Sequence, residues 1–250
     1  MTQLRWLQTN YLSSRLLIAG VLGFSLIFTS SALARYVPPS KPSNPSRTGS
    51  TGTRGGCGEA TETSLTVLAP VGHSGQTVAA HPTFAWFVPD KRSYTMEFTL
   101  YEPSARGGYS ILYTMQQSTK EGIMSLSLPK NVPGLSDRQT YLWQVALLCD
   151  PSDPSKDQLA RATVDVVSMP PGLKAALAQA PDHLKRADLY AQAGFWYDAF
   201  AETLEGSSNK PFWLALLENL SHLETPSPVV EAHKQGEQLQ SIVATERRTR

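Results

Sequence analysis

The amino-acid sequence predicts an antiparallel β-sandwich followed by a small C-terminal α-helical subdomain. Three observations carry that expectation. Between Leu65 and Val167 bulky apolar residues recur at every second position in short runs, the period of strands with one buried face. Pro, Gly, Asp or Asn break those runs at the spacing of a two-sheet all-β domain. Past Pro170-Pro171 the apolar period becomes helical.

Residues 1–34 carry Arg5 and Arg15, then an apolar run from Leu16 to Phe28, then Ser31-Ala32-Leu33-Ala34, with no acid. That is the layout of a secretory signal peptide cleaved after Ala34, and the apolar run is shorter than the roughly 20 residues a bilayer requires. Arg35, not Cys, stands directly after the cleavage site, and the first cysteine of the chain is Cys57, so lipid anchoring is not expected. The mature chain is expected to span no membrane. Cleavage removes two of the 22 basic residues and none of the 21 acids, so the net charge passes from +1 to −1. A near-neutral body argues against a nucleic-acid partner.

Residues 35–56 are rich in Pro, Ser, Thr and Gly, and their charges, Arg35, Lys41, Arg47 and Arg54, are all basic. The composition predicts a disordered linker, with weak attraction to an anionic surface as its one functional reading. The sandwich is expected over 57–168. Phe84 and Trp86 share one parity, Tyr94, Met96, Phe98 and Leu100 another run of it. Met124, Leu126 and Leu128 alternate with serines, Tyr141 to Cys149 form the longest stripe, and Val164 and Val166 close the series. The helical subdomain is expected over 170–245, with apolar spacing through Leu173, Leu177, Leu184, Tyr190, Trp196, Phe200, Trp213 and Leu220. Asp182 and Asn209 are placed as caps, Gly194 and Gly206 as stops. The short, stiff junction Ser168 to Gly172 predicts that the helices dock on the strands.

Pro82-x-Phe84-x-Trp86, Leu126-x-Leu128 and Tyr141-x-Trp143-x-Val145 resemble the core pattern of fibronectin type III and immunoglobulin-like domains. The resemblance implies that Tyr141 opens the penultimate strand and bonds back to nearby backbone. In such a topology Cys57, before the first strand, lies near Cys149 at the end of the penultimate one, so a structural disulfide is expected in an oxidising compartment. Ala187-x-x-Tyr190-x-x-x-Gly194-x-Trp196-x-x-Ala199 resembles a single tetratricopeptide-type hairpin, departing from it at Thr203 and Gly206. A lone hairpin makes no repeat array.

Thr53-Arg54-Gly55-Gly56-Cys57, His81 to Trp86, Ser125 to Pro129, Leu148-Cys149-Asp150-Pro151 and Leu189 to Ala199 are together similar to a family of exported cyanobacterial proteins, catalogued as domain of unknown function 928. The resemblance implies a periplasmic or envelope setting and supplies no activity.

Catalytic signatures are missing from the sequence. Gly72-His73-Ser74-Gly75 falls one residue short of a nucleophile elbow and reads as a turn. No two of His73, His81, His183, His222 and His233 lie four residues apart, and there is neither H-E-x-x-H nor C-x-x-C. His81, before Pro82, reads as a hydrogen-bonded side chain. The acidic loop Asp150 to Asp157 has two prolines and no glycine, so it suits a solvated turn better than a calcium loop. Trp86, Trp143, Trp196 and Trp213 fall on core parity or helical stripes, whereas Phe87, Tyr101, Tyr109 and Tyr113 are the aromatics expected at the surface. The expectation is an exported non-catalytic protein of the periplasm or envelope, without metal or cofactor, whose partner is an envelope protein. A carbohydrate- or peptidoglycan-binding module, with a wall glycan as partner, is the alternative.

Overall fold

The computed structural model describes residues 35–41, 43, 49–51, 57, 63–205 and 209–249. The signal peptide and its cleavage residue Ala34 lie outside the described residues, as does the stop expected at Gly206. Among the described residues nine strands precede five α-helices: β1 Gly49–Thr51, β2 Thr66–Val67, β3 Gly75–Thr77, β4 Thr83–Val88, β5 Thr95–Pro103, β6 Tyr109–Ser118, β7 Gly122–Ser127, β8 Thr140–Leu148 and β9 Gln158–Val166, then α1 Pro171–Ala178, α2 His183–Gln192, α3 Trp196–Leu204, α4 Lys210–Glu224 and α5 Val230–Arg248.

The strands form two sheets. The larger runs β1-β9-β8-β5-β6, and the smaller runs β2-β4-β7. All pairings are antiparallel except that of β3, which joins the last residues of β9 in parallel while β1 pairs nearer its start. The alternation read from the sequence places rings between the sheets. Phe84 of β4 lies 5.3 Å from Phe98 and 5.1 Å from Trp143, and Trp86 lies 6.1 Å from Phe98. Met96, Phe98, Leu100, Trp143, Val145 and Leu147 are fully buried. Burial of such side chains contributes about 1.5–3 kcal/mol each, more for the aromatic pairs. The molecule is thus sheet-rich and sandwich-like, with antiparallel and mixed pairing followed by helices. Tyr141 is the second residue of β8, and its hydroxyl accepts a hydrogen bond from the Ser136 backbone N–H at 2.8 Å.

β4 departs from the simple alternation, being buried continuously from Phe84 to Val88. α3 packs against β3 and β4, and α5 against β1 and β2, so this region has no wet face. Phe87, expected at the surface, is accordingly buried at 3% exposure.

The linker expected over 35–56 is corrected where the chain is described. Tyr36 is buried at 1% exposure with its ring edge-on to Trp196 at 5.0 Å, and the Val37 N–H donates to the Ala191 carbonyl at 3.0 Å. Residues 49–51 pair with β9. One aromatic ring and one sheet edge suffice to order a polar chain locally at the described residues. The strand region therefore begins before residue 57.

Cys57 and Cys149 are joined by a disulfide, with Cα atoms 4.6 Å apart and a separation of 92 positions in sequence. A loop of that length removes enough chain entropy from the unfolded state to stabilise the fold by about 4 kcal/mol. Reduction is expected to lower the melting temperature by about 10 °C, at about 2–4 °C per kcal/mol for a domain of this size. Thermal scans with and without reductant, each with a count of free thiols, measure this. An unchanged midpoint would show that the bridge does not restrain the chain.

α2 starts at Asp182, whose carboxylate accepts from the Lys185 N–H at 2.8 Å, and ends at Gly194, where φ is +89° and only glycine is unstrained. Asn209 makes no capping bond to α4; its amide donates instead to the Glu205 carbonyl.

Candidate functional site

The concentration of buried chemistry lies where the helices meet residues 64–79. This stretch contains only β2 and β3, so most of its backbone polar groups have no partner in a sheet. Unpaired, they would each cost about 1–3 kcal/mol once buried. Helical side chains supply the partners. The Trp196 indole N–H donates to the Leu68 carbonyl at 2.9 Å, and the Gln235 amide donates to the Val67 carbonyl at 2.6 Å and that of Ala69 at 3.3 Å. Gln238 accepts from the Ser64 N–H at 2.9 Å. Glu224 Oε1 accepts from the N–H groups of Val71 at 2.7 Å and Gly72 at 3.0 Å, and Asp198 accepts from that of Val78 at 3.1 Å. Each of α3, α4 and α5 thus contributes at least one bond.

The hydroxyl of Tyr197 sits at the centre. It accepts from the Trp143 indole N–H at 2.7 Å and donates to the Thr163 carbonyl at 3.0 Å, joining α3 to β8 and β9. Gly75 makes this approach possible, because a Cβ there would come within 2.8 Å of the Tyr197 ring. Beside it, the Tyr36 hydroxyl bonds His73 Nε2 at 2.8 Å, the Ser74 hydroxyl bonds that of Thr163 at 2.7 Å, and Asp165 accepts from Ser43 and Thr140.

Burial dominates the electrostatics of this seam. It raises the Glu224 carboxyl from 4.5 to about 7 and that of Asp198 from 3.8 to about 7, in each case against the backbone N–H groups that favour the charged form. Glu224 Oε2 is buried and has no hydrogen-bond partner among the described residues. Burial lowers His73 to about 4, against the pull of Asp165, and pushes both phenols, Tyr36 and Tyr197, well up. The two carboxyls face backbone amides, so the arrangement mounts one layer on another.

The residues singled out in the sequence are distributed otherwise. His81 Nε2 bonds the Val132 carbonyl at 3.1 Å, and His183 Nδ1 lies 2.6 Å from Glu202 on the surface. Among the described residues no group of three or more His, Cys, Asp or Glu is placed to hold a metal ion. In the acidic loop, Lys156 bridges Asp150 at 2.9 Å and Asp153 at 3.4 Å, and Asp157 accepts from the Cys149 N–H at 3.0 Å. The Lys156 ammonium holds the Asp150 carboxyl well below its ordinary range. Ser74, the would-be elbow serine, is fully buried and bonded to Thr163. Trp213 is half-exposed, with the Lys210 ammonium 6.0 Å from its ring centre. A groove of about 390 Å³ between α4 and α5 is bridged by two ion pairs, Lys210 to Glu246 at 3.0 Å and Arg247 to Glu218 at 2.7 Å.

Sequence reading missed Asp198, Glu224, Gln235 and Gln238. The spacing of Ala232, Leu239, Ile242 and Val243 marks α5, but nothing in a lone polar residue of a helix says that it will meet a backbone amide.

Among the described residues no helix is long and apolar enough to cross a membrane. No curated protein matches the chain. Among solved structures, the third fibronectin III domain of the human KIAA0343 protein, determined in solution, is similar over 48% of this chain and 96% of its own, at 13% identity and a TM-score of 0.26. The two-sheet description therefore rests on the register and ring contacts above. Residues 49–225, which run from β1 past the end of α4, match the family described as Domain of Unknown Function (DUF928). That span exceeds half of the 250 residues, and the chain belongs to this family.

Proposed function

We propose that this is an exported, non-catalytic protein of the periplasm or cell envelope, in which a fibronectin III/immunoglobulin-type sandwich and its helical layer act as one interaction or structural unit. The seam carries the reading. Its buried acids, indoles and amides bind backbone, which makes a rigid body of two layers and leaves partner binding to the outer surfaces. The disulfide is consistent with an oxidising compartment, in keeping with the signal-like residues 1–34. The carbohydrate- or peptidoglycan-binding alternative has less support. Of the four aromatics expected at the surface, Phe87 is buried, and Tyr101, Tyr109 and Tyr113 are half-exposed, with the Tyr113 ring 6.4 Å from the core ring of Phe98.

Protein recovered from its host is expected to begin at Arg35, and the same preparation, cross-linked in the envelope fraction, to retain a protein partner. Recovery with Met1 intact would remove the export reading. Binding to isolated wall polymers without any protein partner would favour the alternative.

A further inference from the structure

We propose that the end of the seam where the α4–α5 turn meets residues 35–41 docks on an anionic lipid bilayer as a peripheral contact. Five large apolar side chains stand exposed among the described residues: Val37 at 45%, Ile111 at 63%, Leu223 at 41%, Val229 at 45% and Val230 at 58%. Scattered singly they would need no explanation, but exposed apolar groups that gather mark a contact surface. Four of the five, all but Ile111, gather here.

Val71, Gly72 and His73 bring them together. The Val71 and Gly72 N–H groups donate to Glu224, the neighbour of Leu223. A Cβ at Gly72 would come within 3.2 Å of Ala232, which lies two residues past Val230. His73 bonds the Tyr36 hydroxyl at 2.8 Å, and Val37 follows Tyr36. Tyr36, Glu224 and Ala232 are buried, so each segment is pinned from inside while its apolar neighbour stays in water. Pro226 and Pro228, both exposed, stiffen the turn between Leu223 and Val229.

Charge selects the occupant. Arg35, Lys41 and Lys234 are exposed and have no ion-pair partner among the described residues. Lys41 stands two residues before Ser43, whose carbonyl accepts from the Ser74 N–H at 3.2 Å, and Lys234 lies one helical turn from Val230 on the same face of α5. Against these three cations, residues 35–41 and 222–234 expose one acid, Glu231, since Glu224 is buried. Aliphatic side chains beside unpaired cations fit the boundary between lipid headgroups and acyl chains, where apolar burial and attraction to anionic headgroups add. A protein partner would be centred on aromatic anchors, and neither segment exposes a Phe, Tyr or Trp.

The proposal names a surface beyond the protein partner sought above and does not depend on it. Ala32–Arg250 form one compact unit, so residues 35–250 test the surface free of the apolar run from Leu16 to Phe28. Co-sedimentation with vesicles of phosphatidylglycerol and phosphatidylcholine in equal parts is expected to carry this chain down at low salt and less of it at high salt. Vesicles of phosphatidylcholine alone are expected to carry down little. Val229→Asp with Val230→Glu, residue types that suit the start of a helix and so keep the melting temperature, is expected to weaken binding at least about tenfold. Arg35→Glu with Lys41→Glu is expected to weaken it on the order of 25-fold, at about fivefold per basic residue. Ile111→Glu, on β6, is expected to bind as the wild type does. No binding to the anionic vesicles, binding indifferent to the Val229 and Val230 pair, or an equal loss from Ile111→Glu overturns the proposal. A protein cross-linked at Val229 while vesicles are ignored overturns it equally. Loss of vesicle binding leaves processing at Arg35 and the envelope cross-link unaffected, so the two readings fail separately.

Discussion

A chain ended at Ser168 is expected to lose cooperative folding, although it retains every strand. Without the helices, Val67, Leu68, Ala69, Val71, Gly72 and Val78 lose the partners of their backbone groups. Leu65, Leu68 and Val71, all at most 1% exposed, lose cover, and Trp143 loses the hydroxyl that takes its indole N–H. Each large apolar side chain returned to water forfeits about 1.5–3 kcal/mol, and a handful of them exceeds the net 5–15 kcal/mol that holds an ordinary domain together. Circular dichroism on heating and the amide dispersion of an NMR spectrum measure the outcome for residues 35–168. A sharp transition with dispersed amides would show that the strands fold alone and that the helices are an appendage. Limited proteolysis of the whole chain supplies the converse check, since docked helices should not be released as a folded fragment beginning near Leu173.

Stability should fall as pH rises towards neutrality, and the double substitution Glu224→Gln with Asp198→Asn should reverse that slope. Both carboxyls titrate at about 7 in the folded chain, above their ordinary values of 4.5 and 3.8. Below those ordinary values folded and unfolded chains are both protonated, and the contribution is fully present. Between them and about 7 the unfolded chain releases protons that the folded one keeps, so stability is lost. The rises correspond to about 3 kcal/mol for Glu224 and about 4 for Asp198, at 1.36 kcal/mol per pH unit. Asp90, whose carboxyl burial also raises, adds in the same direction.

His73 acts oppositely. Its folded value of about 4 lies below the ordinary 6.5, so its contribution is present above 6.5 and is lost as pH falls towards 4. Other groups face these from the packed elements: Tyr36 lies near Glu224, Glu202 and Tyr190 near Asp198, and Asp165 near His73. The wild type should therefore show a net decline in melting temperature of about 10 °C from pH 4 to pH 7.5, the remainder of opposing terms at 2–4 °C per kcal/mol. In the double variant neutral amides keep their acceptor oxygens on the backbone N–H groups, and the rise due to His73 should emerge. A decline that persists unchanged in the variant would show that the two acids are not its source.

Much of the strand region was legible because its physics is local. A residue two places from Trp86 or Trp143 must face the same way, so parity marked the rings that meet between the sheets, and the shift of period after Pro170-Pro171 marked the helices. Cysteine count and compartment, with the topology, led to the pair Cys57 and Cys149. The same local reasoning erred at Phe87 and at Tyr36. Parity gives a side chain's face but not whether another layer covers that face, and composition averages over a segment in which one ring is anchored.

The amino-acid sequence by itself determined the alternation of the strands and the switch to helices, which follow from neighbours a few residues apart, and a count of two cysteines left one possible pair. The place of Tyr141, and the nearness of Cys57 to Cys149, came from the resemblance to fibronectin type III and immunoglobulin-like domains. Only the tertiary structure decided that Asp198, Glu224, Gln235 and Trp196 serve the backbone of residues 64–79. Those facts depend on which groups long chain separations bring together: Glu224 meets Val71 across 153 positions and Gln235 meets Val67 across 168. The demand for a partner arises only once packing has taken the backbone out of water.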